Sequence, residues 1–369
     1  MTGTIHKYFT CANSSQGFVN YFPSTLDQME KIYILKGGPG TGKSTLMKKI
    51  GNHFLSRGQN VEHIYCSSDA ASLDGVVLCG SKTAVVDGTA PNIIEPQAPG
   101  AAEEYVNLGI AWDSGALAVH KDEILSLKAQ ISGRYGRIYR LLREAKEVHD
   151  QWETVYIDNT DFEKLDLAAE DLAEEILRGV VPNPRAPRSV HRFFGSLTPD
   201  GSVNHIENLT EGFKTRYFIK GRPGTGKSTL MKKVAFAAQN AGLDTEIYHC
   251  SFDPDSLDMV ILRSLGICVF DSTPPHELFP SRASDVILDL YETAVRPGTD
   301  EGNQAALSMY EEEYASRIQK VQRLLGEIHA IHDDLEAIYI KAVDFSVINQ
   351  ITQDLIQEIE ERQTAADAG

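Results

Sequence analysis

One glycine-rich loop is written twice in this chain. KGGPGTGKSTLMKK begins at Lys36 and KGRPGTGKSTLMKK at Lys220, and the two differ only where Gly38 gives way to Arg222. At a constant offset Tyr33 falls on Tyr217, Lys43 on Lys227, Cys66 on Cys250, Asp69 on Asp253, Asp74 on Asp258, Asp87 on Asp271 and Pro96 on Pro280. Upstream, Gly17, Val19 and Asn20 match Gly201, Val203 and Asn204, and after one residue of slippage His6 matches His191. Downstream, His149 matches His332, Tyr156 matches Tyr339, and Asp161-Phe162 matches Asp344-Phe345. A duplication this long requires two complete units in tandem rather than a solenoid. The expected layout is a first domain at 1–180, a linker at 181–190 and a second domain at 191–369. The joint GVVPNPRAPRSV, from Gly179 to Val190, carries three prolines and no periodicity, and reads as stiff.

Each half alternates strand and helix. Ile32 to Leu35 and Tyr217 to Ile219 are short apolar runs entering the glycine loop, as a buried strand would. STLMKKI and STLMKKV follow with apolar residues at helical spacing. Further strands are expected at Val61 to Cys66 (Thr245 to Cys250) and at Ala84 to Val86 (Ile267 to Phe270), which implies a parallel sheet with right-handed crossovers.

The loop matches GxxxxGK[ST] at Gly37 to Ser44 and at Gly221 to Ser228. Glycines allow backbone amides to close around an anion, and the following helix adds the positive end of its dipole. Candidate anion-binding residues are therefore Gly38, Pro39, Gly40, Thr41, Gly42, Lys43, Ser44 and Thr45, with Arg222, Pro223, Gly224, Thr225, Gly226, Lys227, Ser228 and Thr229 in the second half. Lys43 and Lys227 can neutralise phosphate charge, and the hydroxyls of Ser44 and Ser228 can ligate Mg2+. Asp87 and Asp271 each end an apolar run at the same distance from their loop, and are the candidate second metal ligands.

These features resemble the P-loop NTPase superfamily, and the layout resembles an uncharacterised bacterial family of tandem P-loop ATPases. The phrases that carry the likeness are LKGGPGTGKSTLMKKI, CSSDAASLD, VVDGTAP and FVNY, then IKGRPGTGKSTLMKKV, CSFDPDSLD, VFDSTPPH and HDDLEAIYIKAVDF. The resemblance implies an α/β fold of two tandem P-loop NTPase domains, each a mostly parallel sheet flanked by helices with a long C-terminal helical hairpin. It also implies ATP and Mg2+ as ligands, with hydrolysis as the activity. His276 keeps the pattern after the strand-end aspartate, whereas the first half has Asn92.

No guanine-reading NKxD motif is found, so ATP is the expected nucleotide. Gly88 and Ser272 follow the strand-end aspartates where many ATPases have a glutamate, so a catalytic base must come from elsewhere. Asp69 and Asp253, in the loop after the second strand, are the candidates. Asp74 and Asp258 read better as caps of a following helix. His276 and Arg222 each have a functional reading, as a base and as a phosphate contact, beside an ordinary one as loop residues.

The last third of each half is helical. Apolar positions step from Ile124 through Ile138 and Leu142 to Trp152, and from Tyr314 through Val321 and Leu325 to Ile338. Asp161 and Asp344 look like caps opening a second helix, and Gly133 and Gly136 weaken the first. Such hairpins either cover the sheet or pair with each other and transmit nucleotide state. Arg134 and Arg317 match on them and read as surface charge.

A net charge of -17 disfavours nucleic acid, and no basic patch is apparent in the sequence. MTGTIHKYFTCANSSQG has no signal-peptide pattern, so a cytoplasmic protein is expected. Five cysteines without a CxxC pair fit reduced thiols. The expected function is Mg-dependent ATP binding and hydrolysis by two fused domains that face each other as an internal pseudo-dimer. The alternatives are a small-molecule or nucleotide kinase, and a nucleotide-gated module that engages a protein partner through its hairpins.

Overall fold

The computed structural model describes residues 2–368. Each half builds one six-stranded sheet. The first runs Ile5–Phe9, Val61–Tyr65, Leu73–Leu78, Thr83–Asp87, Lys31–Lys36 and Glu103–Asn107 in spatial order. The second repeats it as Ser189–Arg192, Thr245–His249, Leu257–Leu262, Ile267–Asp271, Thr215–Lys220 and Asp285–Asp289. The strand entering the glycine loop pairs in parallel with the strand that ends in Asp87 or Asp271. Each sheet is mostly parallel, as expected, and the exception is one strand, because Leu73–Leu78 and Leu257–Leu262 run antiparallel to both neighbours. All six residues of each are buried, so these are strands covered on both faces and not the start of a helix.

The linker region ends in a strand, since Ser189–Arg192 already pairs with Thr245–His249. Its counterpart Ile5–Phe9 is the edge of the first sheet, and the two edges touch through Phe9 and Phe193. One continuous core then joins the halves: Tyr8, Phe22, Ile34, Ile64 and Val86 pack in the same cluster as Phe194, Ile206, Phe218, Tyr248 and Phe270.

Each half ends in a helical hairpin, Lys121–Ile157 with Phe162–Leu177 and Gln304–Ile340 with Phe345–Ala368. Asp161 caps the second helix of the first hairpin by accepting from the Lys164 amide, and Asp344 accepts from the amide and hydroxyl of Ser346. Gly133 and Gly136 do not interrupt Lys121–Ile157. The hairpins are exchanged between the halves. Leu165, Ala169, Leu172 and Ile176 are buried against the second sheet with Leu230, Val234 and Leu290. Ile348, Leu355 and Ile359 are buried against the first with Leu46, Ile50 and Leu108. Each buried Leu or Ile contributes about 2 kcal/mol, which ties each sheet to helices from the other half.

The two 37-residue helices pack antiparallel, each roughly 55 Å long. Ile138 and Leu142 meet Val321, Leu324, Leu325 and Ile328 at their centre. Arg134 pairs with Glu327 on one side of that seam, and His149 packs on Tyr314 on the other.

Candidate functional site

Four glycines shape the two loops. Gly40 (φ 65°), Gly42 (84°), Gly224 (78°) and Gly226 (83°) all lie in the left-handed region, which other residues enter only with strain. Thr41 Oγ1 donates to Gly38 O and Thr225 Oγ1 to Arg222 O, each at 2.8 Å, pinning the turn. Helices Lys43–Ser56 and Lys227–Asn240 start directly at Gly42 and Gly226, with no side-chain cap among the described residues. Their first-turn amides are thus left to bind an acceptor other than a cap, and the dipole favours an anion there.

The structure gathers the predicted polar residues at this point. Lys43 Nζ donates to Gly37 O and Gly38 O at 2.9 Å and lies 3.5 Å from Asp87 Oδ2. Lys227 Nζ donates to Arg222 O at 2.9 Å and lies 3.6 Å from Asp271 Oδ2. In both aspartates Oδ1 is held by the turn that follows, through the amide and hydroxyl of Thr89 or Thr273, which aims Oδ2 at the lysine. Ser44 Oγ accepts from the Leu73 amide at 3.0 Å, and Ser228 Oγ from Leu257 at 2.8 Å. Pro39 and Pro223 are partly buried in their loops, and Thr45 and Thr229 are exposed on the first helical turn.

Asp74 and Asp258, expected as helix caps, are instead buried in the antiparallel strands. Burial, then the charge of Asp87, pushes the Asp74 carboxyl up to about 6. Burial, then Asp271, pushes Asp258 up to about 8. Two carboxylates therefore crowd each lysine, an arrangement that favours a cation. His276 Nε2 sits 3.9 Å from Asp258 Oδ2, and burial holds the imidazole down to about 4. At the matching position in the first half is buried Asn92, so the two sites differ chemically. The sequence signal for Asp74 and Asp258 is their recurrence inside six apolar-rich residues, a pattern that the S-L-D capping signature masks. Asp69 and Asp253 are engaged locally. Asp69 accepts from the Ala71 amide (2.9 Å) and the Ser72 hydroxyl (2.5 Å), while Asp253 accepts from Ser256 (3.2 Å) and lies 3.5 Å from Lys146 Nζ.

The exchanged hairpins form the outer wall of each loop, a contribution that sequence matching could not assign because a duplicated pattern does not say which copy covers which. A Cβ on Gly38 would meet the Tyr339 ring at 2.8 Å, and one on Gly40 would meet the backbone of Glu336 at 3.0 Å. The Gly40 amide donates to Glu336 Oε1 at 3.2 Å. In the second site a Cβ on Gly224 would lie 2.5 Å from the Glu153 carbonyl oxygen, and one on Gly226 would strike Leu165. Arg222, standing where the first half has Gly38, turns to Asp300 Oδ2 at 3.0 Å and over the Tyr291 ring, and Tyr156 donates to the other oxygen of Asp300. Each hairpin carries a histidine four residues before its glutamate: His149 Nδ1 to Glu153 Oε1 and His332 Nδ1 to Glu336 Oε1 are both 3.6 Å. His149, enclosed by Trp152, Phe252 and Tyr314, is held down to about 4 by burial, which also raises Glu153.

Folding also creates a basic cluster that is not apparent in the linear sequence. Arg137, Arg140, Lys320 and Arg323 meet across the antiparallel helices, beside Glu144 and Glu327, around a shallow cavity of about 380 Å³. Arg134 pairs with Glu327 and Arg317 with Glu313, as surface charges do. All five cysteines are free thiols, and among the described residues no helix is long and apolar enough to cross a membrane.

Compared with known proteins, residues 19–79 match the family model described as Nephrocystin 3, N-terminal. That segment takes in the first glycine loop and less than a fifth of the chain. No curated protein and no solved structure matches.

Proposed function

We propose that each half is a P-loop NTPase domain, that both glycine loops bind Mg-ATP and that the chain hydrolyses it. The observation that carries the reading is the repeated set of left-handed glycines, uncapped helix start, lysine and strand-end aspartate, with lysine-to-carboxylate distances of 3.5 and 3.6 Å. The amides near Gly42 and Gly226 would enclose the phosphate tail, and Lys43 and Lys227 would exchange carbonyl partners for phosphate oxygens. Two crowded carboxylates and a serine hydroxyl per site fit a magnesium ion, held by Ser44 and Asp87 or by Ser228 and Asp271. When bound, the ion would neutralise charge on the terminal phosphates.

Isothermal calorimetry and a phosphate-release assay test this reading. Mg-ATP is expected to give heat and free phosphate, and Lys43→Ala and Lys227→Ala each to remove part of both. No heat and no thermal shift at millimolar Mg-ATP in folded protein would sink it. The engagement of Asp69 and Asp253 in their turns favours a second reading, a nucleotide-gated module that binds without turnover. Heat without phosphate release is its signature, and ADP formed only with an added acceptor would point to a kinase.

A further inference from the structure

No carboxylate adjoins Asp87 or Asp271 in sequence, because Gly88 and Ser272 follow them. The acidic side chain on the first loop comes from the other half: Glu336 Oε1 accepts from the Gly40 amide at 3.2 Å. Glu336, Tyr339 and Ile340 share one helix face, and that face lies on Gly38 and Gly40. The repeat places Glu153 in the same role at the second loop. Its carbonyl oxygen presses on Gly224, and its carboxyl lies in the fields of Lys227, Lys146 and Asp253. His332 and His149, one turn earlier and 3.6 Å away, are placed to orient the two carboxylates.

We infer that each nucleotide site is completed from the opposite half, with Glu336 serving the loop at Lys43 and Glu153 the loop at Lys227 as proton acceptor for the attacking water. This rests on the reading of the loops as nucleotide sites. Before nucleotide arrives, Glu336 holds an amide that a phosphate oxygen would take, so binding moves the carboxylate outward to face the terminal phosphate. The water oxygen then bonds to the γ-phosphorus while the carboxylate takes one water proton. The bond from that phosphorus to the bridging oxygen breaks, and its electron pair leaves with ADP. The glutamic acid returns its proton to solvent. Burial raises the Glu153 carboxyl from its ordinary range, toward the basicity that general-base catalysis near neutral pH needs.

The test reads one loop at a time. In a Lys227→Ala chain, where the first loop alone is intact, Glu336→Gln is expected to lower kcat about a hundredfold. Mg-ATP affinity should hold or tighten there as a competing anion is removed, and retained binding also certifies the fold. Glu153→Gln in that background should lower kcat far less than Glu336→Gln does. In a Lys43→Ala chain the pattern should reverse, with Glu153→Gln flattening the acid limb of the pH profile. If each glutamine instead silences the loop of its own half, or tightens binding without touching kcat, the assignment is overturned. An unsubstituted chain that binds no Mg-ATP overturns the nucleotide reading itself, a result told apart because it appears before any glutamate is changed.

Discussion

Phe9 and Phe193 exchange two backbone hydrogen bonds, of 2.9 and 2.8 Å, where the edge strands of the two sheets meet. Both are fully buried, so the joint lies inside the core. A fragment of residues 1–180 would expose this edge together with Leu165, Leu172 and Ile176. It is expected to form a homodimer in which two copies trade hairpins, or to precipitate. Light scattering after size exclusion checks this, and a stable folded monomer would contradict it.

Gly224 and Gly133 should respond oppositely to alanine. At Gly224 a Cβ meets the carbonyl oxygen of Glu153 at 2.5 Å and φ is 78°, so Gly224→Ala should cost about 1–3 kcal/mol. Gly133 is in a helix interior with nothing within 4 Å among the described residues, so Gly133→Ala should stabilise by up to about 1 kcal/mol. Urea melts of the two variants would show the contrast.

Acid stability should depend on the half-buried network of Glu62, Glu246 and Arg263 around buried Arg192. Burial alone would raise Glu246, but the hydrogen bond from Arg263 and the charge of Arg192 overcome it and hold the carboxyl at about 2, below its ordinary 4.5. A carboxylate depressed in the folded state stabilises fully above its unfolded value and loses that contribution as pH falls through the folded one. The window is therefore pH 4.5 down to about 2, on the order of 3 kcal/mol. Arg192→Leu should cost about 3–5 kcal/mol at neutral pH and move acid unfolding to higher pH, as followed by circular dichroism.

The two tryptophans report on different loops. Trp112 stands edge-on to Tyr339, which lies on Gly38, while Trp152 precedes the glutamate that covers Gly224. In Trp152→Phe, the fluorescence change on adding Mg-ATP should vanish with Lys43→Ala and survive Lys227→Ala. In Trp112→Phe the dependence should reverse. A signal insensitive to both lysines would count against the two-site reading.

Much of the site was readable in the sequence because local chemistry fixes it. The glycine loop, its helix, and the strands ending at Asp87 and Asp271 follow from spacing alone. Asp74 and Asp258 were misread because S-L-D suits both a cap and a strand entry, and only burial on two faces decides between them. The hairpins were visible from Asp161, Asp344 and the apolar steps of three and four. Their exchange was not, since Leu165 would bury equally well against Leu46 or Leu230, and no local pattern chooses between them. The basic cluster of Arg137, Arg140, Lys320 and Arg323 arises in the same way, from an antiparallel pairing that no local pattern encodes.

The crossing of the hairpins also bears on inheritance. A breakpoint between Gly179 and Val190, the natural place to cut this gene, would part every loop from the helices that roof it. The smallest portion that could be transplanted, shuffled or lost without damage is the whole pair. A lesion mapped to the hairpin of one copy should show its defect at the loop of the other.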